Sequence, residues 1–115
     1  MRTLVFNGKF GYLKNNIFSG TVVFCHFEDT DSTKLLFKAA WKFVKMSSGT
    51  LILIPFTHLF EKCANKEQAS QLFNKFTGEC TRLKPSAVVV IPFGIEKEFI
   101  LYAPAKDSAI KFMKF

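Results

Sequence analysis

Along this 115-residue chain the spacing of apolar residues changes several times, and each spacing predicts an element. RTLVFN at 2–7 predicts a first strand closed by the turn signal Asn7-Gly8, with KFGYLK at 9–14 as its hairpin partner. NNIFSG reads as a loop, and TVVFCHFE at 21–28, rich in β-branched and aromatic residues, as a central strand. The period then becomes helical. Asp31 or Ser32 can cap a helix that stops near Gly49, with Leu36, Ala40, Phe43 and Val44 on its apolar face. TLILIPF at 50–56 is apolar on both faces, as a strand covered on each side should be. A second helix follows over 65–83, capped by Asn65 with Gln68 in the capping-box position. Its buried stripe is Ala69, Leu72, Phe73 and Phe76. SAVVVIPFG at 86–94 predicts another strand buried on both faces, and KEFILYAP at 97–104 an alternating one. The last residues, 105–115, read as a short helix or a tail.

The expected order is therefore β-β-β-α-β-α-β-β. Alternating strands and helices predict one α/β or α+β domain over residues 1–115, a mixed β-sheet with two helices packed on it. The hydrophobic fraction of 49% supports a folded core, and the apolar runs are strand-sized, too short to span a bilayer. The first ten residues lack a signal-peptide core, so a soluble, cytoplasmic protein with no membrane partner is expected. Cys25, Cys63 and Cys80 are widely spaced and, with His26 and His58, do not complete a zinc pattern; reduced, structural thiols and no metal or other cofactor are expected.

Charge adds a partner to this picture. The net charge of +7 suits a polyanion such as nucleic acid, although lysines also serve plain solubility. Lys34, Lys38, Lys42 and Lys45 recur at spacings of four, four and three on the first helix, which places them on one face. They form either a solvated face or a track for phosphates.

Two unbroken apolar runs end alike, LILIPF at 51–56 and VVVIPF at 88–93, and each is followed by a chemically capable side chain, His58 or Lys97. Proline cannot donate to a sheet ladder, so each run stops pairing and turns outward there. In open α/β sheets ligands bind beyond the carboxyl ends of strands, so two such endings can wall a crevice with His58 and Lys97 at its rim. The plainer reading of each Pro-Phe is a strand stop and core plug.

PFTHL before a helix, with IPFGIEKEFILY about forty residues later, resembles the archaeal threonyl-tRNA synthetase editing domain, whose fold is shared with the D-aminoacyl-tRNA deacylases. The match runs from about Leu51 to Tyr102 and continues collinearly, more weakly, over 1–49. The resemblance implies hydrolysis of the ester in L-seryl-tRNA mischarged for threonine, in a pocket built largely of main chain. Phe56, Thr57, His58, Phe93, Gly94 and Lys97 would line that pocket, with Glu96 where the family tends to carry an aromatic residue and His26 where it usually has a small polar one. The chain departs from the family after its first strand, where it has Phe6-Asn7-Gly8, and in its C-terminal segment, where the family carries an acid and this chain offers only Asp107, out of register.

The chemistry follows from the residue types. Lys97 can stabilise an oxyanion or hold the terminal adenosine, and His58 can position water or act as a base. No Ser-His-Asp or Cys-His arrangement suggests a covalent intermediate. The resemblance also implies water oriented by the ribose of the substrate, a homodimer, and a threonyl-tRNA synthetase catalytic subunit as a companion. Two alternatives stay open: a non-catalytic tRNA-binding or assembly module that kept the fold, and a D-aminoacyl-tRNA deacylase.

Overall fold

The computed structural model describes residues 1–12, 16–57, 59–92, 99–104 and 110–115. Its elements are β1 (Arg2–Tyr12), β2 (Ile17–His26), α1 (Thr33–Met46), β3 (Leu51–Pro55), α2 (Lys66–Leu83), β4 (Val88–Val90), β5 (Phe99–Tyr102) and β6 (Ile110–Lys114). They form a mixed six-stranded sheet with two helices packed on it, the α+β class that the spacing predicts. The strands run β4-β3-β2-β1-β5, and β6 pairs with β1.

Two details of the strand order differ from expectation. The Asn7-Gly8 turn does not form: β1 is one strand of 11 residues, antiparallel to β2 over its whole length. Asn7 stays in the ladder opposite Thr21, and its side-chain oxygen accepts the Thr21 hydroxyl at 2.8 Å. Gly8 is required by a close approach, since a Cβ there would lie 2.0 Å from the Tyr102 carbonyl oxygen. The C-terminal segment is a strand rather than a helix or tail. β6 joins residues 2–6 of β1, while β5 joins residues 9–12. One long strand thus carries two short partners along one edge, meeting at the Asn7-Gly8 step.

β2, β3 and β4 are parallel, linked by α1 and α2 as crossovers. Both helices lie on one sheet face. Leu36, Ala39, Ala40 and Phe43 of α1 and Phe73, Phe76 and Cys80 of α2 share a core with Val5, Val23, Cys25, Leu51 and Leu53. Phe43 and Phe76 meet edge to face at 6.1 Å, the favoured geometry for two ring quadrupoles. The expected caps close: the Ser32 hydroxyl accepts the Leu35 amide at 3.1 Å, and the Asn65 side-chain oxygen accepts the Gln68 amide at 2.8 Å. Asp31 has another duty, holding the Met1 ammonium at 2.5 Å.

The opposite sheet face carries Phe6, Phe10, Val22, Phe24, Ile52 and Ile54, and among the described residues no helix covers it. Phe18, Phe56, Leu59, Ile91 and Ala103 pack there instead. This two-sided burial explains the unbroken run of β3, whose Leu51, Ile52, Leu53 and Ile54 are all buried. β4 corrects the parallel expectation for VVV. It is an edge strand, its Val88 and Val89 half-buried and Val90 exposed, because among the described strands its one neighbour is β3. Among the described residues no helix is long and apolar enough to cross a membrane.

Candidate functional site

Parallel strands bring their carboxyl ends to one rim. Cys25 is level with Pro55, and Leu53 is level with Val90. Continuing that register by two residues puts Pro92 opposite Pro55, so the described ends of the two strands, Ile54-Pro55 and Ile91-Pro92, lie side by side. His26 ends β2 beside them. Each departure is pinned by backbone: the Phe56 amide donates to the Cys25 carbonyl at 2.9 Å, and the Ile91 amide to the Leu53 carbonyl at 2.9 Å.

The segment from Phe56 to Ala64 forms the described wall of this rim. Phe56 turns inward and meets Phe24 edge to face at 5.5 Å, the anchoring duty expected of a phenylalanine after proline. Thr57 is exposed and lines, with Leu59, Phe60 and Glu61, an open depression of about 710 Å³. His26 lies beneath the segment rather than in the depression. It is fully buried, and its Nε2 lies 2.6 Å from the Lys62 carbonyl oxygen, to which it donates in the matching tautomer. Nδ1 is buried without a hydrogen-bond partner among the described residues. The Ala64 amide donates to the Phe27 carbonyl at 3.0 Å and closes the segment onto the residue that follows β2 at the rim.

A charge cluster clamps the same wall from the N-terminal side. The Arg2 guanidinium sits 3.5 Å from the centre of the Phe60 ring, whose plane also meets the His26 ring edge to face at 6.4 Å. Arg2 donates to Glu28 at 3.2 Å. Burial, the largest single influence on Glu28, pushes its carboxyl up. The Arg2 hydrogen bond and the positive charges of the N-terminus and Arg2 outweigh it, with a small electrostatic contribution from His26, and hold the carboxyl below its ordinary value. Arg2, Glu28 and Phe60 were not legible as a unit, since their packing joins residues from the first strand, the strand end and the loop.

His58, Phe93, Gly94, Glu96, Lys97 and Asp107 lie outside the described residues. Of the expected pocket residues the structure therefore places Phe56, Thr57 and His26, all at the rim. Among the described residues, no group of three or more His, Cys, Asp or Glu side chains is placed to hold a metal ion. The thiols are free: Cys25 and Cys80 are buried and Cys63 is exposed. Burial, then the nearby Cys80 thiol, pushes the Cys25 thiol well up; burial, then Glu79, pushes Cys80 up to about 12.

The lysine row is where the spacing put it. Lys34, Lys38, Lys42 and Lys45 are all exposed on the outer face of α1. As a crossover from β2 to β3, α1 begins at the rim and runs away from it, so the row extends about 16 Å from Lys34 to Lys45 at 1.5 Å per residue. Sequence reasoning missed its neighbours. Phe37 and Trp41 are 43% and 55% exposed between the lysines, and the Lys45 ammonium lies 4.7 Å from the Trp41 ring centre. The signal was present as the spacing 37, 41, 45 on the helix's polar side.

The fold defines an α+β domain whose parallel strands end at one rim and whose first helix shows a basic outer face. A solved structure described as "c-Myc DNA Unwinding Element Binding Protein" is similar to it, with a TM-score of 0.84 at 13% identity, over 100% of this chain and 99% of that one. At that identity the likeness shows the shared fold. No family model matches the chain, and no curated protein matches its sequence.

Proposed function

We propose that this domain proofreads aminoacyl-tRNA, hydrolysing the ester of L-seryl-tRNA mischarged for threonine. The observation that supports the reading is the parallel pairing of β3 with β4, which carries the Ile-Pro ends of the two strands side by side. Two turns of fixed φ leave adjacent strands together, and their main-chain N–H groups are natural donors to a developing oxyanion. Lys97 adds positive charge to that oxyanion and His58 positions water or ribose. Phe56, Thr57, Phe93, Gly94 and Glu96 line the pocket, with His26 holding the wall from beneath. Lys34, Lys38, Lys42 and Lys45 meet tRNA phosphates. A second copy of the chain and a threonyl-tRNA synthetase catalytic subunit remain its proposed partners.

The test is deacylation of L-seryl-, L-threonyl- and D-aminoacyl-tRNA. Serine is expected to be released and threonine spared, because rigid main chain at Phe56-Thr57 excludes one methyl that a soft pocket would tolerate. Pro55→Gly is expected to let threonyl-tRNA be cleaved, and Lys97→Ala to cost roughly a hundredfold to a thousandfold in rate. Equal seryl and threonyl rates would sink the reading, and release of D-aminoacyl groups alone would replace it with chirality-selective deacylation.

A second reading is favoured by a separate observation, the basic aromatic face of α1: a nucleic-acid-binding module without catalysis. The structural neighbour is itself named for binding a DNA element. Salt-sensitive RNA binding with no ester cleavage of any of the three substrates would select it.

A further inference from the structure

The geometry points to the outer face of α1 as a binding track for an unpaired nucleic-acid strand, with Trp41 as the platform on which a base stacks and Lys38, Lys42 and Lys45 holding the flanking phosphates. It shares with the proposed function the premise that this lysine row meets phosphates. The rest is new: the strand is single, and an aromatic ring reads its bases.

Four observations converge on this face. First, α1 carries two parallel rows at helical spacing, Lys34-Lys38-Lys42 and Phe37-Trp41-Lys45, all exposed. Second, a depression of about 530 Å³ is lined by Lys38, Trp41, Lys42, Lys45 and Met46, so ring and ammonium groups face one shared space. Third, residues 33–46 contain no acidic side chain, which leaves the positive field unopposed along the helix. Fourth, Trp41 is 55% exposed, although indole is a costly group to leave in water.

A phosphate track alone needs lysines and no aromatic row. A base-paired helix hides its base faces within the stack and has nothing to offer Trp41. An unpaired strand offers both, a phosphate at each step and a free π-face between, which is the pairing of features used by single-strand binders. Successive lysines of the row are about 6 Å apart along the axis, comparable with the phosphate spacing of an extended strand.

A lipid surface is the competing occupant, and the packing disfavours it. An interfacial helix dips a continuous apolar face between lipids. The apolar face of α1, with Leu36, Ala39, Ala40 and Phe43, is wholly buried against the sheet and α2. What remains outside is Phe37, Trp41 and Met46 with lysines set among them, and the Lys45 ammonium lies over the indole itself.

The chain has a single tryptophan, so its fluorescence reports on this face alone. Titration with oligoadenylate of about ten nucleotides, within the site sizes of small single-strand binders, is expected to quench Trp41. The duplex formed with its complement and inorganic polyphosphate should leave the emission nearly unchanged. By anisotropy of the labelled oligonucleotide, Trp41→Ala should weaken binding roughly tenfold to a hundredfold, and Trp41→Phe should restore most of it. Lys38→Ala and Lys42→Ala should each reduce the salt slope by about 0.7. Quenching by polyphosphate equal to that by oligoadenylate, or parental affinity in Trp41→Ala, would overturn the stacking platform. So would an emission blue shift with phosphatidylserine vesicles and no response to oligoadenylate, which would assign the face to lipid. Salt-dependent binding of intact tRNA with an unresponsive Trp41 would refute this inference and leave the proposed function standing. If tRNA binds without salt dependence, the lysine premise shared by both fails.

Discussion

The two helices share a sheet face and a phenylalanine seam, yet their outer faces are unlike. α2 shows solvent Lys66, Glu67, Gln68, Gln71, Asn74, Lys75 and Arg82, a mixture of both charges and amides. Its Glu79 is mostly buried and is neutralised by Arg82 one turn on, at 2.7 Å. α1 shows four lysines, an exposed phenylalanine and the tryptophan, with no acid. Burying an apolar stripe against the sheet requires only the inner face of each helix. Solubility is met by the α2 solution, so the outer face of α1 exceeds what the fold needs. That excess is the feature on which the proposed nucleic-acid contact rests.

The seam common to both helices should give the largest effect when broken. Phe43 and Phe76 are fully buried and in contact, so truncating either to alanine is expected to cost about 3–5 kcal/mol. The double variant should lose less than the sum, because each single change already forfeits the shared contact. Denaturant midpoints of the three variants decide this, and strict additivity would mean that the rings are energetically separate.

The outer faces should part company under charge reversal. Lys38→Glu with Lys42→Glu is expected to weaken RNA binding by on the order of tenfold or more at low salt. The matched pair on α2, Lys66→Glu with Lys75→Glu, should change it far less. Both pairs should shift stability by under about 0.5 kcal/mol, as exposed substitutions do. Equal losses of binding from the two helices would erase the contrast and leave only net charge.

The caps offer a control in which the helices should behave alike. Ser32→Ala and Asn65→Ala each remove a side-chain acceptor from a helix start, and each should cost about 1 kcal/mol by thermal or chemical unfolding.

The last contrast appears only in alkaline solution, where buried Cys80 of α2 has no counterpart on α1. The Cys80 thiol keeps its proton in the folded chain up to about 12, whereas the unfolded chain releases it near 9.0. The folded state is therefore the better proton binder, and the thiol's contribution, complete below 9.0, is lost as pH rises toward about 12. Cys80→Ala should flatten that part of the stability–pH curve. At neutral pH an alkylating reagent should reach exposed Cys63 and spare Cys25 and Cys80.

What could be read from the sequence was mostly local. Ser32 and Asn65 announced their helices because a cap acts within one turn. The run 51–54 announced a strand buried on both faces because burial there is nearly complete. The Asn7-Gly8 signal misled because turn chemistry is also local, whereas Gly8 serves a carbonyl from Tyr102, far along the chain. VVV at 88–90 looked like 51–54 because hydrophobicity records no count of neighbours, and β4 has one. The strand at 110–114 escaped because its register comes from β1, at the other end of the sequence. At the site, Pro55 ends β3 at the rim with Phe56 and Thr57 following it, while Phe93 and the residues after it lie outside the described residues. His26 showed its ring type but not its depth, since its partner is a main-chain carbonyl that no residue letter encodes. Trp41 was counted as a residue and not seen as exposed.

The double pairing of β1 sets the order in which the chain can reach its final form. Its first half waits for β6, with Thr3 opposite Met113, and its second half for β5. Until those residues are available, β1 has only β2 beside it, and one whole edge of hydrogen-bonding groups stands open. Closing a loop of more than a hundred residues adds little entropy beyond a medium one but places the contact late and slows the search. During synthesis β1 leaves the ribosome before β2–β6 and is nevertheless among the last of them to be sealed. β2, β3 and β4, with their two crossover helices, can assemble while β1 still presents an edge that another chain could occupy.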